Sequence, residues 1–517
     1  MSAASYNNLR DVVFHAAANF PDTRFFITED EEFPYITGKE LKHYCGAFGR
    51  WICDLDTHPS HIAVLGHNGA AWLSVFFSTI SAGCVVVPLH VDAGEDDLQY
   101  YLEKSDADIL IYDRACQRVA VSLCKKIENL ISFEMHDLLT RLNASTEEYF
   151  PPLLSDSPAA FYFTSGTTTR SRCVVLTHRN MASHTNAAMS ILPLSPKDSG
   201  LSILPVSHTF EIMTNIVGAL HCGGTMYING SLRDVKKNMK KYEPSIIVCV
   251  PLVLQTIQKE ILRTAKKNGK LKMLQKAMKI NFMTQHIGID LSRFLFREIY
   301  DILGHNIRYF LCGGASLDKE LILFYKSIGI EVIQGYGITE CTPIVAANLP
   351  GANNLGSIGK PFPSCEVRII DGEICVRGDS VSPGYYDDDI LTSRHFRSGW
   401  FHTGDLGYID RNGFLHFTGR QSNLIVLANG ENVSAEALEE KLGHIEGIEE
   451  SMVFDHNGMI TAEVYVDPEI FPDSDAVWKA VMKLNRTLPS YQQIGEVLLR
   501  DHEFEKTVTQ KIKRHAV

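Results

Sequence analysis

Residues 161–178 read FYFTSGTTTRSRCVVLTH, an apolar run that gives way to hydroxyl side chains and one glycine before it becomes apolar again. The apolar ends, 161–163 and 174–176, predict two short strands joined by a polar hairpin loop. Hydroxyl and backbone N–H groups can bond phosphate oxygens, Gly166 permits a tight turn, and Arg172 adds positive charge. The stretch therefore predicts a phosphate loop, although a serine- and threonine-rich surface loop has the same composition. It is not a Walker loop, because G-x-x-x-x-G-K-[ST] is absent here.

Length and composition indicate a large globular protein. The 517 residues are too many for one ordinary core and predict about three compact units. A hydrophobic fraction of 45% with 21% charged residues argues against disorder. The formal net charge of -12 argues against a general nucleic-acid binder, while a local basic pocket for phosphates remains compatible with it.

The cysteines and the apolar segments indicate a cytoplasmic protein. Twelve cysteines are scattered without C-x-x-C pairs, which favours buried reduced thiols over disulfides or zinc ligands. The N-terminus lacks a basic region followed by an apolar run, so we expect no signal peptide. Residues 62–89 are the most apolar region, but polar residues interrupt them, and we expect a strand, a helix and a strand instead of a membrane span.

The first two thirds of the chain alternate between helical and strand patterns, which predicts parallel sheets covered by helices. Several strands end in polar or glycine residues. Residues 203–207 lead to His208, residues 308–312 lead to Gly313 and Gly314, and residues 331–334 lead to Gly335. Ligands of such sheets bind at the carboxyl ends of the strands. The lysine-rich helical region 259–279 is interpreted as a solvated face.

The pattern changes after residue 356. Short strands with Asp-Gly and Asn-Gly turns up to residue 417 predict a small antiparallel barrel or sheet. Residues 421–517 predict a separate α+β unit with helices at 434–441 and 478–486 and a strand pair at 451–466. Residues 421–423 are polar enough to be a hinge. We therefore expect an N-terminal domain over residues 1–420 and a C-terminal domain over 421–517.

Five motifs in this sequence resemble, in the same order, those of the adenylate-forming superfamily of acyl-CoA synthetases, peptide-synthetase adenylation domains and luciferases. They are the 161–178 stretch, GYGITE at 335–340, WFHTGD at 400–405, GR at 419–420 leading to NGENV at 429–433, and KTVTQK at 506–511. The resemblance implies an α/β fold: a large N-terminal domain of two α/β subdomains and a small β-barrel-like sheet, then a small mobile α+β domain. It also implies ATP-dependent formation of an acyl-adenylate and transfer of the acyl group to a thiol.

The resemblance assigns roles to individual residues. His208 lies beside the acyl pocket, Glu340 binds Mg²⁺, Asp405 and Arg420 bind the ribose, and Lys511 bridges the carboxylate and the α-phosphate. The residues that it assigns to the phosphates are Thr164, Ser165, Gly166, Thr167, Thr168 and Arg172. Those that it assigns to the adenine slot and its continuation toward the metal are Gly314, Ala315, Gly335, Tyr336, Gly337 and Thr339, with Tyr336 stacking on the base.

The sequence departs from the family pattern at five positions. Thr169 and Cys173 stand where the family has glycine, Arg172 where it has lysine, Ser422 where the hinge is Asp or Lys, and Gln510 where glycine precedes the last lysine. Arginine still binds phosphate, as a planar fork instead of a point charge. The glycine losses stiffen the loop, so weak or specialised use of ATP is compatible with the sequence.

Three functions are compatible with these residues. The first is an AMP-forming ligase that uses ATP, Mg²⁺ and CoA to make an acyl-CoA thioester from a carboxylic acid. We expect that acid to be a fatty acid. The second is an adenylation enzyme that loads an acyl or aryl acid onto the phosphopantetheine of a carrier protein. The third is a non-catalytic nucleotide-binding relative. None of the three involves nucleic acid.

Overall fold

The structure, a computed structural model, describes residues 5–164, 171–315, 317–350, 353–427, 431–506 and 512–514. The chain forms two compact units. The first consists of the chain up to Leu355 together with Gly359–Glu366 and Val376–Phe401. The second consists of Gly356–Ile358, Val367–Cys375 and the chain from His402 onward.

Strands and helices alternate through most of the first unit, as the sequence pattern predicts. The elements of both units are numbered together along the chain. The strands are β1 Arg24–Ile27, β2 Tyr35–Thr37, β3 His61–Leu65, β4 Val85–Leu89, β5 Ile109–Tyr112, β6 Ile131–Glu134, β7 Pro158–Thr164, β8 Arg172–Thr177, β9 Ser199–Ser202, β10 Thr225–Ile228, β11 Ile246–Cys249, β12 Tyr309–Cys312, β13 Glu331–Gly337, β14 Ile344–Ala347, β15 Lys360–Pro361, β16 Glu366–Ile370, β17 Glu373–Arg377, β18 Gly384–Tyr385, β19 Phe396–Arg397, β20 Trp400–Ile409, β21 Leu415–Arg420, β22 Leu424–Val426, β23 Asn432–Ser434, β24 Ile448–His456, β25 Met459–Val466 and β26 Glu496–Arg500. The helices are α1 Leu9–Asn19, α2 Gly38–Cys53, α3 Ala70–Ser81, α4 Glu95–Lys104, α5 Gln117–Lys126, α6 Met135–Asn143, α7 His178–Ile191, α8 Val217–Cys222, α9 Val235–Tyr242, α10 Pro251–Lys267, α11 Leu271–Gln285, α12 Ser292–Leu295, α13 Arg297–Leu303, α14 Lys319–Ser327, α15 Asp389–His395, α16 Ala435–Gly443 and α17 Ser474–Asn485.

One sheet of the first unit carries the predicted hairpin. Over the described residues it has seven strands in the order β18-β8-β7-β4-β3-β5-β6. Strands β4, β3, β5 and β6 are parallel, and β7 is parallel to β4. Strand β8 returns antiparallel to β7, and β18 pairs antiparallel with β8. The hairpin thus closes one side of the sheet and receives a strand from much later in the chain.

The second sheet of this unit has, among the described residues, the order β15-β14-β13-β12-β11-β9-β10-β1-β2. Strands β13, β12, β11, β9, β10 and β1 run parallel, while β2, β14 and β15 are antiparallel to their neighbours. Because β12 and β13 are parallel neighbours, their carboxyl ends lie side by side. The glycines after β12 and those in the last residues of β13 are therefore placed together.

Helix α3 explains why the most apolar region of the sequence belongs to the core. Each of its residues, Ala70–Ser81, is buried, and it packs with α1, α2 and the sheets in one hydrophobic cluster whose last buried residue in the sequence is Tyr385. Among the described helices, none is long and apolar enough to cross a membrane. The twelve cysteines are free thiols, and most of them are buried.

The second unit is built from small sheets, in which most strand pairs are antiparallel and β25 pairs with β26 in parallel, and, over the described residues, from two α-helices. Strand β21 pairs antiparallel with the later part of β20, strands β22 and β23 form a short pair, and β24, β25 and β26 form a three-stranded sheet. Helices α16 and α17 share a hydrophobic core with these strands. Both helices and the strand pair β24–β25 agree with the pattern read from the sequence. The boundary predicted between residues 420 and 421 stays a prediction.

Candidate active site

The predicted phosphate hairpin is present, and its two ends are close together. Thr164 at the end of β7 pairs with Arg172 at the start of β8, and Phe163 pairs with the buried Cys173. The loop residues Ser165, Gly166, Thr167 and Thr168 lie outside the described residues. The structure therefore places the two residues that flank the loop, Thr164 and Arg172, next to each other on paired strands.

Arg172 lies against an aromatic ring that sequence reasoning missed. Its guanidinium carbon is 5.9 Å from the centroid of the Tyr385 ring, and its Nη1 donates to His395 Nε2 over 3.3 Å. Strand β18 brings Tyr385 there, because Tyr385 pairs with Val174 two residues beyond Arg172. A planar guanidinium held by a ring and one hydrogen bond keeps its remaining N–H donors in a fixed direction.

Tyr385 connects this arginine to the predicted metal ligand. Its hydroxyl donates a hydrogen bond of 2.9 Å to Glu340 Oε1, and both side chains are buried. Burial and the Glu340 carboxylate raise the pKa of Tyr385 well above its usual value, so the phenol stays a donor. Arg172, Tyr385 and Glu340 thus form a continuous chain of contacts, called here the tyrosine bridge. The only signal for Tyr385 in the sequence was its place in a Gly-Tyr pair, which predicts a turn or strand and no partner.

Glu340 lies on a short 3-10 turn, Thr339–Cys341, directly after β13. The turn is fixed from both sides: Ser382 N donates to the Glu340 carbonyl over 2.8 Å, and Thr342 Oγ1 donates to Ser380 O over 2.7 Å. Thr342 follows with a left-handed φ of 61°. An ionised carboxylate has about four acceptor positions, so the bond from Tyr385, the one that this side chain accepts among the described residues, leaves capacity for a cation. Carboxylate and hydroxyl oxygens are the donors that Mg²⁺ prefers, and Glu340 with Thr339 fits that ion.

Of the segments predicted for adenine, one follows β12 and the other, Gly335–Gly337, is the last part of the adjacent strand β13. Gly314 and Ala315 are exposed, and Gly314 has a φ of +86° that favours glycine. Gly335 and Tyr336 are half-buried at the end of β13. A Cβ on Gly337 would lie 2.2 Å from Pro343 O, so only glycine allows the backbone to pass there. The two segments leave backbone uncovered by side chains, as a flat ligand requires.

The predicted ribose ligands are paired in the second unit. Asp405 and Arg420 face each other on β20 and β21, and Arg420 Nε is 3.2 Å from Asp405 Oδ1. The Asp405 side chain is 4% exposed, whereas that of Arg420 is 45% exposed. The Arg420 guanidinium therefore faces solvent, and the Asp405 carboxylate lies beneath it.

A network around Glu373, which the sequence did not reveal, fixes the part of strand β20 that leads to Asp405. Glu373 Oε2 lies 2.7 Å from His402 Nδ1, and Glu373 Oε1 accepts a 2.8 Å bond from Gly404 N. Thr403 Oγ1 donates to Ile374 O over 2.7 Å. The Glu373, Cys375 and His402 ligand atoms lie within 4.8 Å of one another. However, 2.7 Å is a hydrogen-bond distance, shorter than the roughly 3.3 Å that separates two donors on one tetrahedral zinc ion. The arrangement is a positioning network.

The region of His208 leads to a buried acid and an apolar cavity. His208 is half-buried after β9, and the π-helical turn Glu211–Ile216 follows. Glu211 is fully buried and accepts a 2.8 Å bond from Asn215 Nδ2, and burial raises its pKa to about 7. A cavity of about 40 Å³ lies beside this turn, with Phe210, Thr214, Ile333 and Gly335 in its lining. The cavity thus connects an apolar interior to the strand end predicted for adenine.

Not every predicted site residue can be placed. Lys511 lies outside the described residues, as do Thr169 and Gln510. In the first unit the structure brings Thr164, Arg172 and Glu340 into one contact chain, and in the second unit it pairs Asp405 with Arg420. The roles assigned to individual residues remain predictions.

Comparison with known proteins identifies the family. Residues 13–386 match the family described as AMP-binding enzyme, and the chain belongs to that family. The chain is 28% identical over 433 residues to a long-chain-fatty-acid–CoA ligase of Mycobacterium tuberculosis, covering 77% of this chain and 72% of that protein. It is 24% identical over 506 residues to fatty acyl-CoA synthetase B of Dictyostelium discoideum, covering 88% of this chain and 75% of that protein.

Solved structures show the same fold. An anthranilate CoA ligase in complex with anthranoyl-AMP superposes with a TM-score of 0.81 at 17% identity, covering 99% of this chain and 97% of that chain. The O-succinylbenzoate coenzyme A synthetase of Bacillus subtilis, in complex with ATP and a magnesium ion, has a TM-score of 0.76 at 21% identity and covers 97% of this chain and 98% of that one. The predicted family and the predicted α/β fold with a large and a smaller domain are confirmed.

Proposed function

We propose that the protein is an acyl-CoA synthetase that converts a fatty acid to its acyl-adenylate with ATP, releases pyrophosphate, and transfers the acyl group to CoA. The tyrosine bridge is the observation that carries the proposal, because it links a phosphate-binding hairpin to a buried carboxylate suited to Mg²⁺. The cavity beside the π-helical turn has a mostly apolar lining, which favours an apolar acid, and at about 40 Å³ it has to widen to hold a fatty chain. Two relatives that cover most of the chain are named for fatty acids.

The first half-reaction requires a better leaving group than the oxide of a carboxylate. A carboxylate oxygen attacks the α-phosphorus of ATP, the bond from that phosphorus to the bridging oxygen breaks, and pyrophosphate leaves with the electron pair. In our proposal Thr164 and Arg172 bind the leaving phosphates with the loop between them, and Tyr336 stacks on adenine. Asp405 accepts hydrogen bonds from the ribose. These contacts position the reactants and neutralise charge as it moves onto pyrophosphate.

Glu340 and Thr339 would hold Mg²⁺, which supplies positive charge against the phosphates. The contribution of the chain is to keep the carboxylate oriented: the Tyr385 hydroxyl holds one oxygen, and the fixed 3-10 turn holds the backbone. Orientation before binding lowers the cost of assembling the site. Lys511 would bring a further cation to the reacting carboxylate and the α-phosphate.

The second half-reaction needs a different acceptor in the same place. The CoA sulfur attacks the acyl carbon, AMP leaves with the electron pair of the C–O bond, and the thiol proton passes to solvent. We propose that residues 421–517 form a mobile domain that rotates near Ser422, removing Lys511 and admitting the thiol. Two reactions that share one site are consistent with domain motion of this kind.

The cytoplasmic location expected from the sequence belongs to this proposal.

The test measures pyrophosphate release from ATP with saturated fatty acids of increasing chain length and with benzoate, first without and then with CoA. We expect release only with fatty acids, and acyl-CoA product once CoA is present. If the acyl group is transferred from the adenylate to a phosphopantetheine carrier and never to CoA, the acceptor is a carrier protein and not CoA. Failure to release pyrophosphate with any acid, while ATP still binds, would reject the enzyme and favour a non-catalytic relative.

A further inference from the structure

Helix α11 has apolar side chains on two opposite sides. Leu274, Ala277 and Met278 are partly buried against the core of the second sheet. On the other side Met273 is 62% exposed, and Met283 is 71% exposed. Ile280 lies between them at helical spacing, so all three project from one side of the helix. A helix that packs on one side alone would carry polar residues on its exposed side.

The turn after α11 adds larger apolar side chains at its carboxyl end. Ile287 is 73% exposed and Phe294, on α12, is 84% exposed. The turn is tied back to the helix, because Leu291 N donates a 2.9 Å bond to Asn281 Oδ1. Single exposed apolar residues are normal on protein surfaces, but a cluster of Met, Ile and Phe marks an interaction surface.

Lysines surround these apolar residues. Residues 259–289 contain eight Lys and Arg but a single acidic residue, in a chain whose net charge is -12. Lys272, Lys276 and Lys279 are exposed, and none of them forms an ion pair within the part of the chain that the structure describes. The positive charge is therefore local and opposite in sign to the protein as a whole.

We propose that this surface, the basic apolar face of α11 and the turn after it, docks the protein on an anionic lipid bilayer. The apolar side chains enter the boundary between headgroups and acyl chains, and the lysines contact lipid phosphates. A solvated face, as the sequence alone suggests, accounts for the lysines but not for the exposed Met, Ile and Phe. A protein that wraps a basic helix from all sides does not fit, because the opposite side of α11 is already packed. The inference goes beyond the proposed reaction and does not depend on it.

The experiment is flotation of the full-length protein with unilamellar vesicles. We expect binding to phosphatidylcholine vesicles that contain phosphatidylglycerol, weaker binding as salt is added, and little binding to phosphatidylcholine alone. The combined variant Lys272→Glu, Lys276→Glu, Lys279→Glu should bind about 100-fold more weakly, since each lysine near an anionic surface contributes roughly fivefold.

A matched variant controls for net charge. Lys125→Glu, Lys479→Glu, Lys483→Glu makes the same charge change at exposed positions of α5 and α17. It should retain binding, and equal loss in both variants would overturn the proposal. Absence of wild-type binding to anionic vesicles would also overturn it, and a protein partner would then be the occupant to seek.

A third pair of variants tests insertion of the apolar side chains. Met283→Ser with Phe294→Ser changes no charge and should weaken vesicle binding at least tenfold, while Met459→Ser, also at an exposed methionine, should not. Phe294→Trp should show a blue shift of its fluorescence with anionic vesicles. No shift would mean that the lysines act without insertion and would contradict the proposed docking. Unchanged melting temperatures establish that each variant is folded.

Discussion

Replacement of Tyr385 by Phe tests the tyrosine bridge by removing one oxygen atom. The ring that lies under Arg172 and against Phe396 remains, so packing is preserved. What is lost is the 2.9 Å hydrogen bond from the hydroxyl to the buried Glu340 carboxylate. Hydrogen bonds to charged groups contribute about 1.5–3 kcal/mol, and in a buried site the penalty is toward the upper end.

In the proposed site this loss falls on the orientation of the carboxylate that would hold Mg²⁺. A change of about 1.5–3 kcal/mol corresponds to roughly one to two orders of magnitude in an equilibrium constant. We expect Tyr385→Phe to raise by at least about tenfold the Mg²⁺ concentration that gives half-maximal pyrophosphate release. The assay is release at saturating ATP and fatty acid over a Mg²⁺ titration.

The neighbouring residue provides the control. Tyr386 donates a hydrogen bond of the same length, 2.9 Å, to Asp106, but at an exposed position. Tyr386→Phe makes the same chemical change and should leave the Mg²⁺ dependence unaltered. If Tyr385→Phe lowers the melting temperature but leaves the Mg²⁺ dependence unchanged, the bond is structural and the reasoning about Glu340 is wrong.

Three further predictions concern other parts of the site. Because burial raises the pKa of Glu211 to about 7 from 4.5, the folded state binds the proton more tightly, and stability falls as pH rises from about 4.5 to 7. Glu211→Gln should remove that loss, about 3 kcal/mol above pH 7, and melt higher than wild type at pH 8 but not at pH 5. Lys511→Ala should abolish adenylation yet spare thioester formation from a supplied acyl-adenylate, and equal loss of both steps would contradict its role. Glu373→Ala should raise KM for ATP several-fold with little change in kcat, because the part of strand β20 that leads to Asp405 loses the bonds that Glu373 makes to His402 and Gly404; a fall in kcat alone would refute that.

The hairpin and the glycine-rich strand ends could be predicted from sequence because they depend on short-range patterns. Apolar runs on each side of a polar loop predict paired strands, and the structure pairs these strands and sets Thr164 opposite Arg172. The family motifs then indicated which loops carry ligands. Local order of this kind is written in consecutive residues.

The contacts that hold the site together could not be predicted in this way. Tyr385 meets Glu340 across 45 positions of sequence only because β18 pairs with β8. Glu373 and His402 likewise meet across 29 positions on neighbouring strands. The basic apolar face was interpreted as solvated because spacing cannot distinguish the packed side of α11 from its exposed one when both are apolar.

The complete burial of α3 affects how the protein folds during its synthesis on the ribosome. Its hydrophobic cluster includes residues as late as Tyr385, so the helix emerges from the exit tunnel well before the residues that bury it have been translated. Until then this twelve-residue segment exposes its apolar side chains on the nascent chain. It is therefore the segment that we expect a ribosome-associated chaperone to bind first.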